Sequence, residues 1–260
     1  MWPGTTAVRA ELVDGLARAT LLHGGTYLRP RLVDSAGSSL RVALVGSYAT
    51  LLAGDDVAID IEVGSGVHLD IVEPTGMIAY DAGGVPARWA ASLSVADGAA
   101  LTWRAASFVV STGANITRRC EVHLADGGVA LLGETLVLGR TDEGGGSLHN
   151  AQHATLDGRE LLVDELDLRT RQRTTPGILG TSRVVATTTL LGTPAPLPCQ
   201  EHESPLAGPG SLARATTRQA HQATQQLAET WRRWYEHATG AYGTPPGARP
   251  AATVGRPDPP

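Results

Sequence analysis

"CEVHLADGGVALLGETLVLG", residues 120–139, decides the fold. Two strand-like runs flank a turn at Asp126-Gly127-Gly128. Glycine tolerates positive φ, so Asp-Gly between alternating runs marks a tight β turn. The same design returns in "RWAASLSVADGAALTWRA" (88–105) around Asp97-Gly98 and in "HATLDGRELLVDELDL" (153–168) around Asp157-Gly158. "VAIDIEV" (57–63) and "VHLDIVE" (67–73) alternate in the same way on either side of "GSG". Turns recurring roughly every thirty residues predict a mainly β chain: stacked β-hairpins in a layered, β-helical body. A plain β-sandwich is the alternative on composition alone.

The second half of that opening stretch, continued to "LLGETLVLGR" (131–140), carries an anomaly. Glu134 sits inside an apolar run, and Arg140 closes it. Alternation from Leu136 and Leu138 puts Glu134 on their side of the strand, the apolar side. A buried charge needs a partner, a wet site or an altered pKa. Other acids lie on or beside expected strands: Asp55, Asp56, Asp60, Glu62, Glu73 and Asp164. Asp60 and Glu62 alternate with Val57, Ile59, Ile61 and Val63, so they read as water-facing. Glu134 is the strongest candidate for an acid held within a β layer.

Composition excludes several classes. The 260 residues are 42% hydrophobic with only 4% aromatics, and Phe108 is the single phenylalanine. The net charge of −5 argues against nucleic-acid binding through a basic surface. There is no lysine; all 21 basic residues are arginine. That removes the P-loop lysine, Schiff-base chemistry and the kinase phosphate-pairing lysine. G-x-S-x-G, H-E-x-x-H, C-x-x-C and G-x-G-x-x-G are all missing. Two cysteines, Cys120 and Cys199, make no disulfide framework and fit a reducing compartment. The N-terminus lacks a signal-peptide pattern and no apolar run is long enough to span a bilayer, so the expectation is a cytoplasmic protein without a membrane partner.

Residues 1–191 read as the β-rich body, and 192–210 as a Pro/Gly-rich connector. A helix packing on the body is expected over 211–239, N-capped by Ser211 and ended by Gly240. Leu212, Ala220, Ala223, Leu227, Trp231 and Trp234 give it one apolar stripe. Trp231 and Trp234 either pack on the body or dock a partner. Residues 240–260 read as a disordered Pro-rich tail. Metal ligands are sparse. His149 and His153 would share a strand face, rather far apart for one ion. "CQEHE" offers Cys199, His202 and Glu203 in a flexible connector, and "GGGS" (144–147) offers an anion nest, although Gly-rich turns are commoner in a β protein.

Several stretches together resemble the UreD (UreH) family of urease accessory proteins. "GDD" (54–56) and the hairpin-like pattern after it, "EPTGMIAY" ending in Tyr80, and "LTWRAASFVVSTGAN" ending in Gly113-Ala114-Asn115 carry the likeness. So do "LLGETLVLGR", with an acid followed by Leu138-Gly139-Arg140, then Asp164, and the last helix with Trp231. The order and spacing agree over most of residues 7–238. The Gly-Gly usual before the family aspartate is replaced by "YATLLAGDD", and Gly144-Gly145 stands where Gly-Glu is common. The resemblance implies a non-catalytic β-rich scaffold. It implies binding to UreF, through it to UreG, and to apo-urease, in a complex where the chain could sit as a dimer. It implies no tightly bound cofactor, only Ni2+ in transit through a wet internal passage lined by acids. Asp55, Glu62, Glu134 and Asp164 are the nickel-path candidates. Tyr80, Asn115, Gly139 and Arg140 are structural motif residues, Trp231 and Trp234 partner-docking candidates, and Cys199 and His202 a further metal pair. Against this stand a two-carboxylate hydrolase using Glu134 and Asp164, for which aromatics are scarce, and a structural β protein.

Overall fold

Alternation of apolar and polar residues organises the chain into strands that stack in two facing layers. The computed structural model describes residues 4–81, 83, 85–173, 175 and 177–242. Its elements are β1 (Thr6–Val13), β2 (Leu16–His23), β3 (Leu28–Ala36), β4 (Ser39–Gly46), β5 (Thr50–Leu51), β6 (Asp56–Val63), β7 (His68–Val72), β8 (Met77–Ala79), β9 (Ala87–Val95) and β10 (Ala100–Arg104). They continue as β11 (Phe108–Val110), β12 (Asn115–Leu124), β13 (Val129–Leu138), β14 (Ser147–Leu156), β15 (Arg159–Asp167), β16 (Val184–Leu191), β17 (Glu203–Pro205), β18 (Gly210–Thr217), α1 (Ala220–Gln226) and α2 (Ala228–Thr239). One sheet has the order β15-β14-β12-β9-β6-β1-β2; the other runs β17-β18-β16-β13-β10-β7-β4-β3, with β5, β8 and β11 as a short side strip. Inner faces of the two sheets enclose the main core, which includes Val57, Ile59, Ile61, Val63, Leu69, Ile71, Leu93, Leu101, Val122 and Leu136.

The layered, β-helical body expected from the sequence is present, with its turns used differently. Asp97-Gly98 and Asp126-Gly127 do not join hydrogen-bonded neighbours. They carry the chain from a strand of the first sheet to one of the second (β9 to β10, β12 to β13). The strands then pair in parallel with those of the next coil: β6 with β9, β9 with β12, β7 with β10, β10 with β13. Asp157-Gly158 alone among these three closes a true antiparallel hairpin, β14–β15. Gly98 and Gly127 have φ +60° and +73°, a geometry that serves an arc between sheets as well as a hairpin. Local turn chemistry therefore leaves the pairing partner open.

The helix expected over 211–239 is a correction. Gly210–Thr217 is β18, antiparallel to β16, and Ser211 is a buried strand residue rather than an N-cap. "SLARATT" fits period two as well as period three to four, and the free edge of β16 satisfies its backbone. The helical part starts at Ala220 and breaks at Leu227 (φ −96°, ψ 1°), and α2 ends on its C-cap Gly240. Both helices cover the outer face of the second sheet, where Leu131, Val184, Ala186, Leu190, Leu227 and Trp234 form a second core. β16 is consequently buried on both faces. Residues 243–260, most of the Pro-rich tail expected from the sequence, lie outside the described residues. Among those described, no helix is long and apolar enough to cross a membrane.

Candidate functional site

Glu134 points between the sheets, on the face of β13 that also carries Leu132, Leu136 and Leu138. Register explains why an acid survives there. β13 pairs with β10 over Val129–Gly133 and with β11 over Leu136–Leu138. Glu134 and Thr135 fall in the break, where residues 105–107 leave the sheet. Arg104 aligns with Val72 on one side and Gly133 on the other. The next residues, Glu73, Ala105 and Glu134, thus occupy one corner on three successive rungs. Two carboxylates flank an alanine that leaves room between the layers.

The opposite sheet fills that corner with polar groups by the same logic. Trp89, Arg118 and Asn150 are register neighbours, as are Cys120, Gln152 and Asp164 on the next inward position. Arg118 is 6% exposed. Its Nη1 donates to Glu134 Oε2 and, at 3.0 Å, to Asn150 Oδ1. Asn150 Nδ2 donates to Glu134 Oε1 at 3.0 Å, so both carboxylate oxygens are engaged. The guanidinium lies 4.0 Å from the Trp89 ring centroid, an added cation–π attraction. Arg118 Nε is buried without a partner. Glu73 accepts from Trp103 Nε1 (2.9 Å) and the Ala106 N–H (3.1 Å). Burial pushes its carboxyl pKa up, against the opposing pull of these bonds and of Arg118.

The polar line continues along the stack. Glu134 aligns with Thr187, and Thr187 with Arg214. Arg214 Nε donates to Thr187 Oγ1 at 3.3 Å, and its Nη2 to Asp164 Oδ2. Thr189 Oγ1 donates to Gln152 Oε1 at 3.0 Å. Two cavities of about 30 Å3 lie on this line, each large enough for a water molecule. The first runs from Tyr48 and Thr75 at the surface to Glu73; the second is bounded by Cys120, Glu134, Gln152, Thr187 and Thr189. Trp89, Ala105 and Arg118 belong to both walls. Burial pushes the Cys120 thiol up to about 12, so it stays a neutral thiol in the wall of the second cavity at neutral pH.

The model of the UreD urease accessory protein family matches residues 23–249. The chain belongs to that family. A urease accessory protein UreD 1 from Streptomyces griseus subsp. griseus is 42% identical over 240 residues, covering 91% of this chain and 94% of the relative. A UreD 2 from Saccharopolyspora erythraea is 30% identical, covering 81% and 80%. A UreD from Parafrankia sp. is 30% identical, covering 82% and 84%.

Within this family member the sequence-derived candidates separate. Glu134 and Asp164 both lie on the interior line, each tied to an arginine. Glu62 is on the outer face of β6 and pairs with Arg9 at 2.7 Å, with both side chains more than 40% exposed. Asp55 caps a turn, accepting from the Leu52 N–H at 2.7 Å. Neither joins Glu134. Around the Leu-Gly-Arg motif, Gly139 has φ +89°, and a Cβ there would meet Glu143 O at 2.6 Å. Arg140 pairs with Glu143 (3.0 Å) and lies 5.8 Å from the Tyr80 ring. Arg173 donates to the carbonyls of Gly144, Gly145 and Gly146, so the glycine run is a braced loop. Asn115 opens β12 opposite Ser147.

Trp234 is fully buried in the second core, which leaves no surface for a partner; Trp231 is half-buried, with Arg104 5.3 Å from its ring centroid. His202 Nε2 contacts Thr230 Oγ1 at 2.9 Å, while Cys199 is exposed. Among the described residues no group of three or more His, Cys, Asp or Glu could hold a metal ion. Sequence reading did not single out Arg118, Asn150 or Arg214. Arg118 had a signal: it alternates with Ile116, Cys120 and Val122 on the buried side of β12.

Proposed function

We propose that this chain is a non-catalytic scaffold of urease maturation. It binds UreF and, through UreF, UreG; the assembly docks on apo-urease in the cytoplasm and helps deliver nickel. The ion travels along the interior line that joins the Arg214–Asp164 end, Glu134, Glu73 and the surface at Tyr48 and Thr75. The observation that carries the interior route is the line of ionised and hydroxyl side chains between two β layers, where apolar residues would pack better. Carboxylates suit a conduit. Hard oxygen ligands hold nickel less tightly than thiolate or imidazole, so the ion can be passed on. The two-carboxylate hydrolase lacks room: the cavity at Glu134 admits a water but no sugar ring.

Co-expression with UreF and UreG of the same organism, followed by size exclusion, tests the scaffold. A stoichiometric complex is expected; a chain that elutes alone overturns it. The route is tested with Glu134→Gln. Nickel content of the matured urease should drop while the complex with UreF persists. Loss of both together would point to misfolding instead.

A further inference from the structure

We infer that Arg118 is a gate across the interior. In the observed position its guanidinium, held on Glu134, closes the wall between the two cavities. A divalent cation arriving at Glu134 displaces it toward Glu73. The inference rests on the interior being the ion's route and adds what regulates passage along it.

Three side chains form the shared wall, and only one can move. Trp89 is 5% exposed and packs against Trp103 with ring centroids 6.1 Å apart. Ala105 carries only a methyl group. Arg118 has a long rotatable chain and lines both cavities. While that head occupies Glu134, a cation faces a like charge and a carboxylate with both oxygens bonded. Passage therefore requires the guanidinium to leave, and a buried guanidinium needs another anion to go to. Glu73 supplies it. It occupies the same corner as Glu134 two rungs away, roughly 10 Å at ordinary strand spacing, with Arg118 in the wall between. Its carboxylate accepts one bond per oxygen, from Trp103 and Ala106, which leaves lone pairs for an arginine. The present position is also incompletely satisfied, because Arg118 Nε is buried with no acceptor. An orphaned donor narrows the preference for this position over another. The ion takes over as counter-charge to Glu134, and Arg118 takes Glu73.

Crystals of the full chain soaked in nickel chloride, with the ion located by anomalous scattering, test the gate. Nickel beside Glu134 with Arg118 turned to Glu73 is the expected result. Nickel there with Arg118 unmoved overturns the gate and leaves the route intact. No nickel at Glu134 overturns both. In solution, Glu73→Gln should weaken the Glu134-dependent nickel binding about tenfold, the scale of one hydrogen bond to a charged group. Isothermal titration measures it, with Glu134→Gln as the blank for surface histidines. Unchanged affinity in Glu73→Gln removes the gate even if the crystals take up metal.

Discussion

Arg118 and Glu134 make an ion pair that the fold leaves almost dry, with side chains 7% and 15% exposed. Removing one member of such a pair strands the other. Glu134→Ala should therefore lower stability by about 3–5 kcal/mol in urea denaturation, whatever it does to nickel. Glu134→Gln retains the shape and acceptors for Arg118 and should cost clearly less, which makes it the informative variant. A second buried group reports on pH. His68 is fully buried, its Nε2 3.1 Å from Thr102 Oγ1 and its ring beside Tyr235 and Tyr242. Thr102 donates to Asp70 at 2.8 Å, and Arg41 pairs with Asp70 at 2.7 Å. Burial lowers the His68 pKa to about 4, with Arg41 pushing the same way and Asp70 opposing. The folded state then refuses a proton that the unfolded chain accepts below about pH 6.5. Stability is full above that value and falls as the pH drops toward 4, by up to about 3 kcal/mol. His68→Phe should flatten this part of the stability–pH curve; a curve that keeps its slope would mean other groups titrate there.

The strands β6, β7, β9, β10, β12, β13, β14 and β15 were readable from alternation, but their partners were not, and β18 was read as helix. β13 shows why: one strand spans two neighbours, β10 and β11, and the gap between them holds Glu134. The helices depend on the sheet beneath them. A Cβ on Gly133 would meet the Trp231 ring at 2.9 Å, so glycine permits the close approach of α2 to β13. Gly133→Ala should push α2 outward at about 1–3 kcal/mol, read as faster amide exchange in α2 with β6 and β9 unaffected. Trp234→Ala empties the second core and should lower stability by about 3–5 kcal/mol. If Trp234→Ala is instead neutral for folding yet abolishes partner binding, Trp234 serves docking rather than packing.

At the scale of the molecule, the stack begins in edge strands whose outer faces carry exposed apolar side chains. β2 ends one sheet and β3 the other. Leu16 and Leu22 on β2, Leu32 and Val33 on β3, and Val45 on β4 are each 38–54% exposed. Open strand edges with exposed apolar side chains favour association. The isolated chain should form larger species with rising concentration, measured by light scattering. Leu32→Lys with Val33→Lys should suppress this without changing the thermal midpoint by more than a few degrees. A monodisperse wild-type chain at high concentration would show that the edges are harmless.

The sequence by itself determined the β character, the inward orientation of Glu134 and the family. Side-chain alternation and ordered short motifs are local properties, and local patterns are enough to read them. The parallel stacking of coils, the strand at Gly210–Thr217 and the placing of Glu62 and Trp234 away from any shared site were decided by tertiary structure. So was the meeting of Glu73, Arg118 and Glu134 across the core. These depend on which backbone edge is free and which rung faces which, and a one-residue change of register would turn every side chain to the other face.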